Sequence, residues 1–294
     1  MSATSLTWGG RSIPGPGGLP AVAVSLTGPS LAQARTQARR AIDAGADVLE
    51  LRVDLLEEAG ALAGSAPMDA AAVAGAAAAQ VLECLRGLVE AIAADGAGAD
   101  AAAPLLLTCR TAAEGGRARL DDASYGALLR SVLDGLADWA PERRPVAIDV
   151  EVQRGCLPQV CTQAHGLGID VVASFHDFEA TPADEVLEEV LARMAREGAD
   201  LAKIAVWPIS ADDVARLLGV CARATAGAGE AAGLGVPVAA MSMGALGAVS
   251  RVAPAFGSAL TFAVVPDEQG QARASAPGQL PLQDVRRCLE LLRA

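Results

Sequence analysis

Eight short runs rich in aliphatic and β-branched residues recur along the chain, separated by segments with helical punctuation. They are AVAVSL (21–26), DVLELRVD (47–54), PLLLTCR (104–110), PVAIDVEV (145–152), DVVASFHD (170–177), LAKIAVW (201–207), VPVAAMSM (236–243) and ALTFAVV (259–265). Strands that alternate with helices pair in parallel, because each crossover helix returns the chain to the same end of the sheet. Eight such strands can close on themselves and leave no edge exposed. The expectation is an α/β fold, a (β/α)8 TIM barrel spanning residues 21–294 as a single catalytic domain.

Two segments stand outside the regular alternation. Residues 1–20, with GGRSIPGPGG, precede the first strand and are expected to form a short hairpin or cap over the N-terminal mouth of the barrel. Residues 58–103 form a long Ala/Gly-rich crossover, expected to hold a helix over 69–94 with mobile flanks around GALAGSAP and ADGAGADAAAP. On that helix Leu82, Leu85, Val89 and Ile92 share a face. TPADE predicts an N-cap at Thr181 with Pro182 at the first helical position, closed by Gly198, and Ser210 is placed likewise before ADDVARLL.

Composition removes several classes of function. The net charge is −12 with no basic run, so no nucleic-acid partner is expected. Six scattered cysteines without a CxxC pair, and only His165 and His176, give no zinc pattern and fit a reducing compartment. The N-terminus lacks a signal-peptide pattern and no apolar run is long enough to span a bilayer, so a cytoplasmic protein with no membrane association is expected. There is no GxGxxG opening a helix and no phosphate-binding P-loop.

Side chains alternate across a strand, and here the alternation separates apolar from ionisable residues. Leu49, Leu51 and Val53 oppose Glu50, Arg52 and Asp54; Ile148, Val150 and Val152 oppose Asp149 and Glu151. Phe175 opposes Ser174 and His176, and Ala202, Ile204 and Val206 oppose Lys203. One charged strand face is usually a solvated edge. Several in one barrel predict a polar cavity at the C-terminal mouth, where barrel enzymes place their chemistry.

Lys203 is the one lysine among 23 basic residues. A buried lysine–carboxylate pair is the plain structural reading, but arginine serves that purpose at least as well. Arginine stays protonated, whereas a desolvated lysine can act as an amine nucleophile, so a strand lysine in an arginine-using chain points to imine chemistry. His176, one strand earlier on the same face, is suited to move protons near it; a lone strand histidine is otherwise most often a packed core residue. His165, in a helix-to-strand connection, is expected at the surface on the opposite side of the barrel.

In order, ELRVD, TCRTAAEGG, IDVEV, SFHDFEATP, AKIAVWP, MSMGALGAVSR, GSALTFA and ASAPGQ resemble the motifs of type I 3-dehydroquinate dehydratase, a shikimate-pathway lyase, from about Ser25 to Gln279. The resemblance implies a homodimeric TIM barrel without metal or organic cofactor, converting 3-dehydroquinate to 3-dehydroshikimate and water. By this resemblance Lys203 forms the imine, His176 is the general acid and base, and Glu151 is the carboxylate beside that histidine. Glu50, Arg52 and Arg110 match hydroxyl-binding and polar-network positions, and Arg251 matches the carboxylate-binding arginine. Ser275 and Gln279 match a loop closing over the substrate, while Ser25, Met241, Met243 and Phe262 match further pocket positions. Phe175 departs from the family pattern, and by parity it faces away from the cavity.

Two other readings compete. One is a class I aldolase-type barrel enzyme, for which SMGALGAVSR would imitate a glycine-rich phosphate site; the interior arginine and the ASAPGQ segment favour a carboxylate-bearing cyclic substrate instead. The other is a non-catalytic metabolite-binding barrel, against which the lysine, histidine and glutamate argue.

Overall fold

The structure, a computed structural model, describes residues 4–63, 70–94, 103–226 and 233–293. A two-stranded antiparallel hairpin, β1 (Leu6–Trp8) and β2 (Arg11–Ile13), opens the chain. Eight parallel strands follow: β3 (Ala21–Leu26), β4 (Val48–Arg52), β5 (Leu105–Thr108), β6 (Ala147–Glu151), β7 (Asp170–Asp177), β8 (Leu201–Val206), β9 (Val238–Ser242) and β10 (Leu260–Ala263). Each falls within a run anticipated from the sequence.

The sheet runs in the order β10-β3-β4-β5-β6-β7-β8-β9. The remaining seam is nearly closed: the Ala259 N–H donates to the Val238 carbonyl at 2.7 Å, and the Ala240 N–H donates to Ser258 Oγ at 3.3 Å. Helices α1 (Leu31–Asp43), α2 (Ala70–Ala94), α3 (Asp122–Leu136), α4 (Leu157–Gly166), α5 (Asp184–Arg196), α6 (Ala211–Ala224) and α8 (Leu282–Leu291) surround the strands, with a single turn, α7 (Gly244–Gly247), after β9. This is the TIM barrel expected.

Strand parity sorts the core into two layers. Outward residues such as Leu49, Leu51, Ile148, Val150, Ile204 and Val206 pack beneath the helices, and Phe175 joins them. Inward residues at the N-terminal halves, Ala21, Val48, Leu106, Ala147, Val172 and Leu201, form a separate apolar cluster. Trp8 and Ile13 of the hairpin belong to that inner cluster and are almost wholly buried. The Trp8 indole N–H donates to Asp170 Oδ2 at 2.7 Å, at the first residue of β7, so the hairpin seals the N-terminal mouth.

Local punctuation holds in one helix and fails in another. Ser210 caps α6 with a reciprocal capping box, its hydroxyl accepting from the Asp213 N–H while Asp213 accepts from the Ser210 N–H. Thr181 does not cap α5, which starts two residues later than the sequence suggested, after Ala183. The Thr181 hydroxyl donates instead to the Trp207 carbonyl at 3.0 Å, tying this loop to β8. On α2, Leu85 is fully buried while Leu82, Val89 and Ile92 are partly so, because Val81 and Leu88 share the buried face. The flanks of that helix at 64–69 and 95–102 lie outside the described residues. His165 sits half-exposed at the end of α4, bonded to Asp200 at 2.8 Å. No cysteine is in a disulfide, and among the described residues no helix is long and apolar enough to cross a membrane.

Candidate active site

Above the apolar inner layer, the C-terminal halves of the same strands turn polar. Ser25, Glu50, Arg52, Thr108, Arg110, Asp149, Glu151, Ser174 and Lys203 are all buried. Of these, Glu50, Arg52, Arg110 and Lys203 line a cleft with about 460 Å³ of empty space, part of it open to solvent, and the others stand behind them. Burying so many charges is tolerable only because almost every one is paired.

Lys203 stands on β8 beside Ser174 of β7, which it matches in register. Its Nζ lies 3.4 Å from Asp149 Oδ2, 3.8 Å from Glu50 Oε1 and 4.6 Å from the centre of the Phe262 ring. Two carboxylates and an aromatic face thus surround one cation. Asp149 is fully buried; burial works against its charge, but Arg110 and then Lys203 overcome this and hold its carboxyl below the usual range. It also accepts from Arg110 Nη2 and from Ser174 Oγ, both at 2.7 Å.

His176, at the end of β7, bonds through Nδ1 to Glu114 Oε2 at 2.8 Å. Burial, then the charges of Arg110, Lys203 and Arg52, push the imidazole well below its ordinary range. Burial pushes the Glu114 carboxyl up to about 8, against the pull of Arg110. Its Oε1 is buried without a hydrogen-bond partner. A weakly charged pair therefore faces the cleft, able to pass a proton between its members.

This partner corrects one expectation. The carboxylate on the histidine is Glu114, not Glu151. Glu151 accepts from the Thr111 N–H at 2.7 Å, from Thr111 Oγ1 at 2.6 Å, from Arg154 Nε at 3.0 Å and from Arg110 Nη1 at 3.2 Å. Four donors hold it away from the cleft, and it fixes the loop that carries Glu114. That loop is a short 3-10 turn, Ala112–Glu114, ended by Gly115 at φ 80°. Parity within β5 does not extend to it, so the available signal was the four-residue spacing from Arg110 in TCRTAAEGG.

Arg251 lies across the cleft, 1% exposed. It donates to the carbonyls of Phe262 at 3.4 Å and Pro277 at 3.2 Å, and its Nε has no partner. Burial lowers its pKa to about 10, and among the described residues no carboxylate offsets that burial. By contrast Arg52 is held bidentately by Asp54, both bonds at 2.8 Å. A buried guanidinium left without a counter-ion is a receptor for a carboxylate ligand.

The segment after β10 lies over the cleft through Ser275, Ala276 and Gln279. The Ser275 hydroxyl donates to Ser25 Oγ at 2.8 Å, and Ser25 donates to Glu50. Gln279 accepts from the Ser275 N–H at 3.1 Å and donates to its hydroxyl at 3.0 Å. Gly278, at φ 82°, sits where a Cβ would fall 2.2 Å from the Gly244 carbonyl oxygen, so the segment closes on the SMGALG turn glycine against glycine.

Of the residues singled out from sequence, Lys203, His176, Glu50, Arg52, Arg110, Met241, Arg251, Phe262, Ser275 and Gln279 line one cleft. Ser25 stands behind Glu50, and Met243 is buried in the inner apolar cluster without lining the cleft. Beside Glu114, the cleft includes Gly115, Phe178, Ala205 and Ala276, which strand patterning did not single out. Phe178 lies so close to Gly115 that a Cβ there would meet its ring at 2.4 Å. Among the described residues no group of three or more His, Cys, Asp or Glu is arranged to hold a metal ion.

The family model of type I 3-dehydroquinase matches residues 22–294. The 3-dehydroquinate dehydratase of Klebsiella pneumoniae subsp. pneumoniae is 37% identical over 275 residues, 92% of each chain. That of Albidiferax ferrireducens is 35% identical over 290 residues, covering 97% of this chain and 92% of its own. The type I 3-dehydroquinate dehydratase of Clostridium difficile superposes with a TM-score of 0.78 at 28% identity, covering 99% of each chain. The enzyme of Geobacillus kaustophilus gives 0.77 at 28% identity, covering 98% of this chain and 96% of its own. The chain belongs to the type I 3-dehydroquinase family.

Proposed function

We propose that the protein is a lyase of the shikimate pathway that converts 3-dehydroquinate to 3-dehydroshikimate and water through an imine on Lys203. The observation that carries this reading is that the lone lysine and a buried arginine without an ionic partner among the described residues, Arg251, share one cleft with a His–Glu pair. The relatives act on 3-dehydroquinate by name, and the Clostridium difficile structure holds covalently modified comenic acid.

The residues divide the work as follows. The substrate carboxylate takes up the free Nε face of Arg251. Glu50, Arg52 and Arg110 receive the ring hydroxyls, and Met241 and Phe262 form an apolar wall. The Lys203 amine attacks the C3 carbonyl; water leaves and an iminium forms, next to Asp149 and over the Phe262 ring. The iminium draws electron density from C2, and neutral His176 removes the C2 proton to give an enamine. The enamine pair then expels the C1 hydroxyl, which receives that proton from the imidazolium and departs as water. A second water hydrolyses the iminium and frees Lys203. Glu114 holds the imidazole through Nδ1, and its high proton affinity lets it share the proton in transit. Glu151 holds Arg110 and Thr111 and touches no reacting group.

We place the working enzyme in the cytoplasm as a homodimer, following the family resemblance; light scattering on the purified protein tests the dimer. Turnover is tested by adding 3-dehydroquinate and following the absorbance of the conjugated enone acid. Absence of that product would sink the assignment. Borohydride reduction during turnover, followed by peptide mapping, tests the imine at Lys203.

A further inference from the structure

The segment over the cleft is pinned at both ends. At its far end the Pro277 carbonyl accepts from the Gly244 N–H at 3.1 Å and from Arg251 at 3.2 Å. At its near end the Arg273 carbonyl accepts from the hydroxyl of Thr27 at 2.9 Å. Thr27 follows β3, is 1% exposed and does not line the cleft. Its own backbone is fixed from α1: Gln37 Oε1 accepts from the N–H groups of Thr27 and Gly28, both at 2.8 Å. Gln37 Nε2 then faces Thr27 Oγ1 at 3.5 Å. A threonine hydroxyl has one hydrogen to give. Because the Gln37 amide nitrogen is a donor, that hydrogen goes to the Arg273 carbonyl, two residues before Ser275.

We propose that Thr27 is a positioning residue that anchors the lid through the Arg273 carbonyl, with Gln37 setting the direction of its hydroxyl. The kinetic part rests on the dehydratase reading above. A substrate carboxylate competes for the Arg251 hold on Pro277, whereas the Thr27 hold lies outside the cleft and is independent of ligand. The near anchor therefore keeps Ser275 and Gln279 in place while, at the far end, the Arg251 bond is exchanged for substrate and the Gly244 bond stays.

Arg273 is exposed, so tryptic cleavage after it, read by mass spectrometry on the ligand-free full-length protein, reports release of the lid. Thr27→Val removes the donor at nearly constant shape. Gln37→Glu leaves Thr27 untouched but puts an acceptor where the amide nitrogen stood, which draws the hydroxyl hydrogen away from Arg273. Both variants should be cleaved after Arg273 about three- to tenfold faster than wild type, in line with loss of one hydrogen bond. Both should raise KM for 3-dehydroquinate by a similar factor with kcat within about twofold, while Thr27→Ser behaves as wild type. Wild-type cleavage rates in both variants, or faster cleavage with no rise in KM, would overturn the proposal. If Thr27→Val does not fold, Gln37→Glu decides alone. A wild-type protein that does not turn over 3-dehydroquinate would sink the dehydratase reading, and the cleavage rates would still decide the anchor.

Discussion

His176 Nδ1 and Glu114 Oε2 meet at 2.8 Å in a site where burial disfavours the charged form of each. Such a pair is suited to shuttling a proton and poorly suited to storing charge. His176→Ala should lower turnover at least ~10²-fold while leaving imine formation possible, so covalent adduct accumulates and is visible by mass spectrometry. Near-normal turnover would make His176 a packed core residue.

Glu114→Gln keeps the hydrogen-bonding shape but removes the titrating group. The sign of its effect on stability follows from the raised pKa of about 8. Below about pH 4.3, the unfolded-state value, the group is protonated in both states; between that value and 8 only the folded protein keeps the proton, so stability falls as pH rises through this window. The variant lacks this loss. Its melting temperature relative to wild type should therefore improve on going from pH 6 to pH 8, and equal pH slopes would show that Glu114 is already ionised in the folded protein.

Arg251→Met exchanges a buried guanidinium, without a carboxylate partner among the described residues, for an apolar side chain. KM should rise roughly 10- to 150-fold, since a hydrogen bond to a charged group contributes about 1.5–3 kcal/mol. The melting temperature should stay at or above wild type, because the desolvation penalty of the unpaired cation is removed. An unchanged KM would remove Arg251 from the carboxylate-binding role.

Asp149→Ala, just behind the cleft lining, should be the most destabilising of these changes. Asp149 is the shared partner of Arg110 at 2.7 Å and Lys203 at 3.4 Å, and its loss leaves two buried cations short of negative charge. Breaking a buried pair from one side costs about 3–5 kcal/mol, measurable by urea unfolding. A cost under about 1 kcal/mol would mean that the remaining carboxylates, Glu50, Glu114 and Glu151, compensate for the loss.

Lys203→Arg keeps the charge but cannot form an imine. Borohydride trapping with 3-dehydroquinate and nearly all turnover should be lost, with the fold intact by circular dichroism. In the wild type the trapped adduct should map to the peptide that carries Lys203. Activity should fall at acid pH as the His176 imidazole, held well below its ordinary range by burial, becomes protonated. Substantial activity in Lys203→Arg would refute the imine mechanism.

The barrel and the strand-borne part of its cleft, Glu50, Arg52, His176 and Lys203, were legible in one dimension, because both rest on a period of two; Arg110, Arg251, Ser275 and Gln279 came from the family resemblance. Strand alternation alone separates Leu49 and Leu51 from Glu50 and Arg52, and sends Phe175 outward while Ser174 and Lys203 turn inward. The lone lysine suggested the imine chemistry proposed above through residue choice, before any neighbour was known. Partnership was another matter. Asp149 and Glu151 share inward parity on β6, yet Asp149 meets the lysine while Glu151 is captured by Thr111, Arg110 and Arg154. Which carboxylate reaches the histidine depends on where the turn after β5 carries Glu114, and on contacts between residues 62 apart in the chain. Thr181 shows the same limit at a helix end: its hydroxyl had a local cap available but bonds the carbonyl of Trp207, just after the next strand. Periodicity records which way a side chain points, since that depends on the backbone next to it. What the side chain then touches depends on packing between distant segments, and no local pattern encodes that.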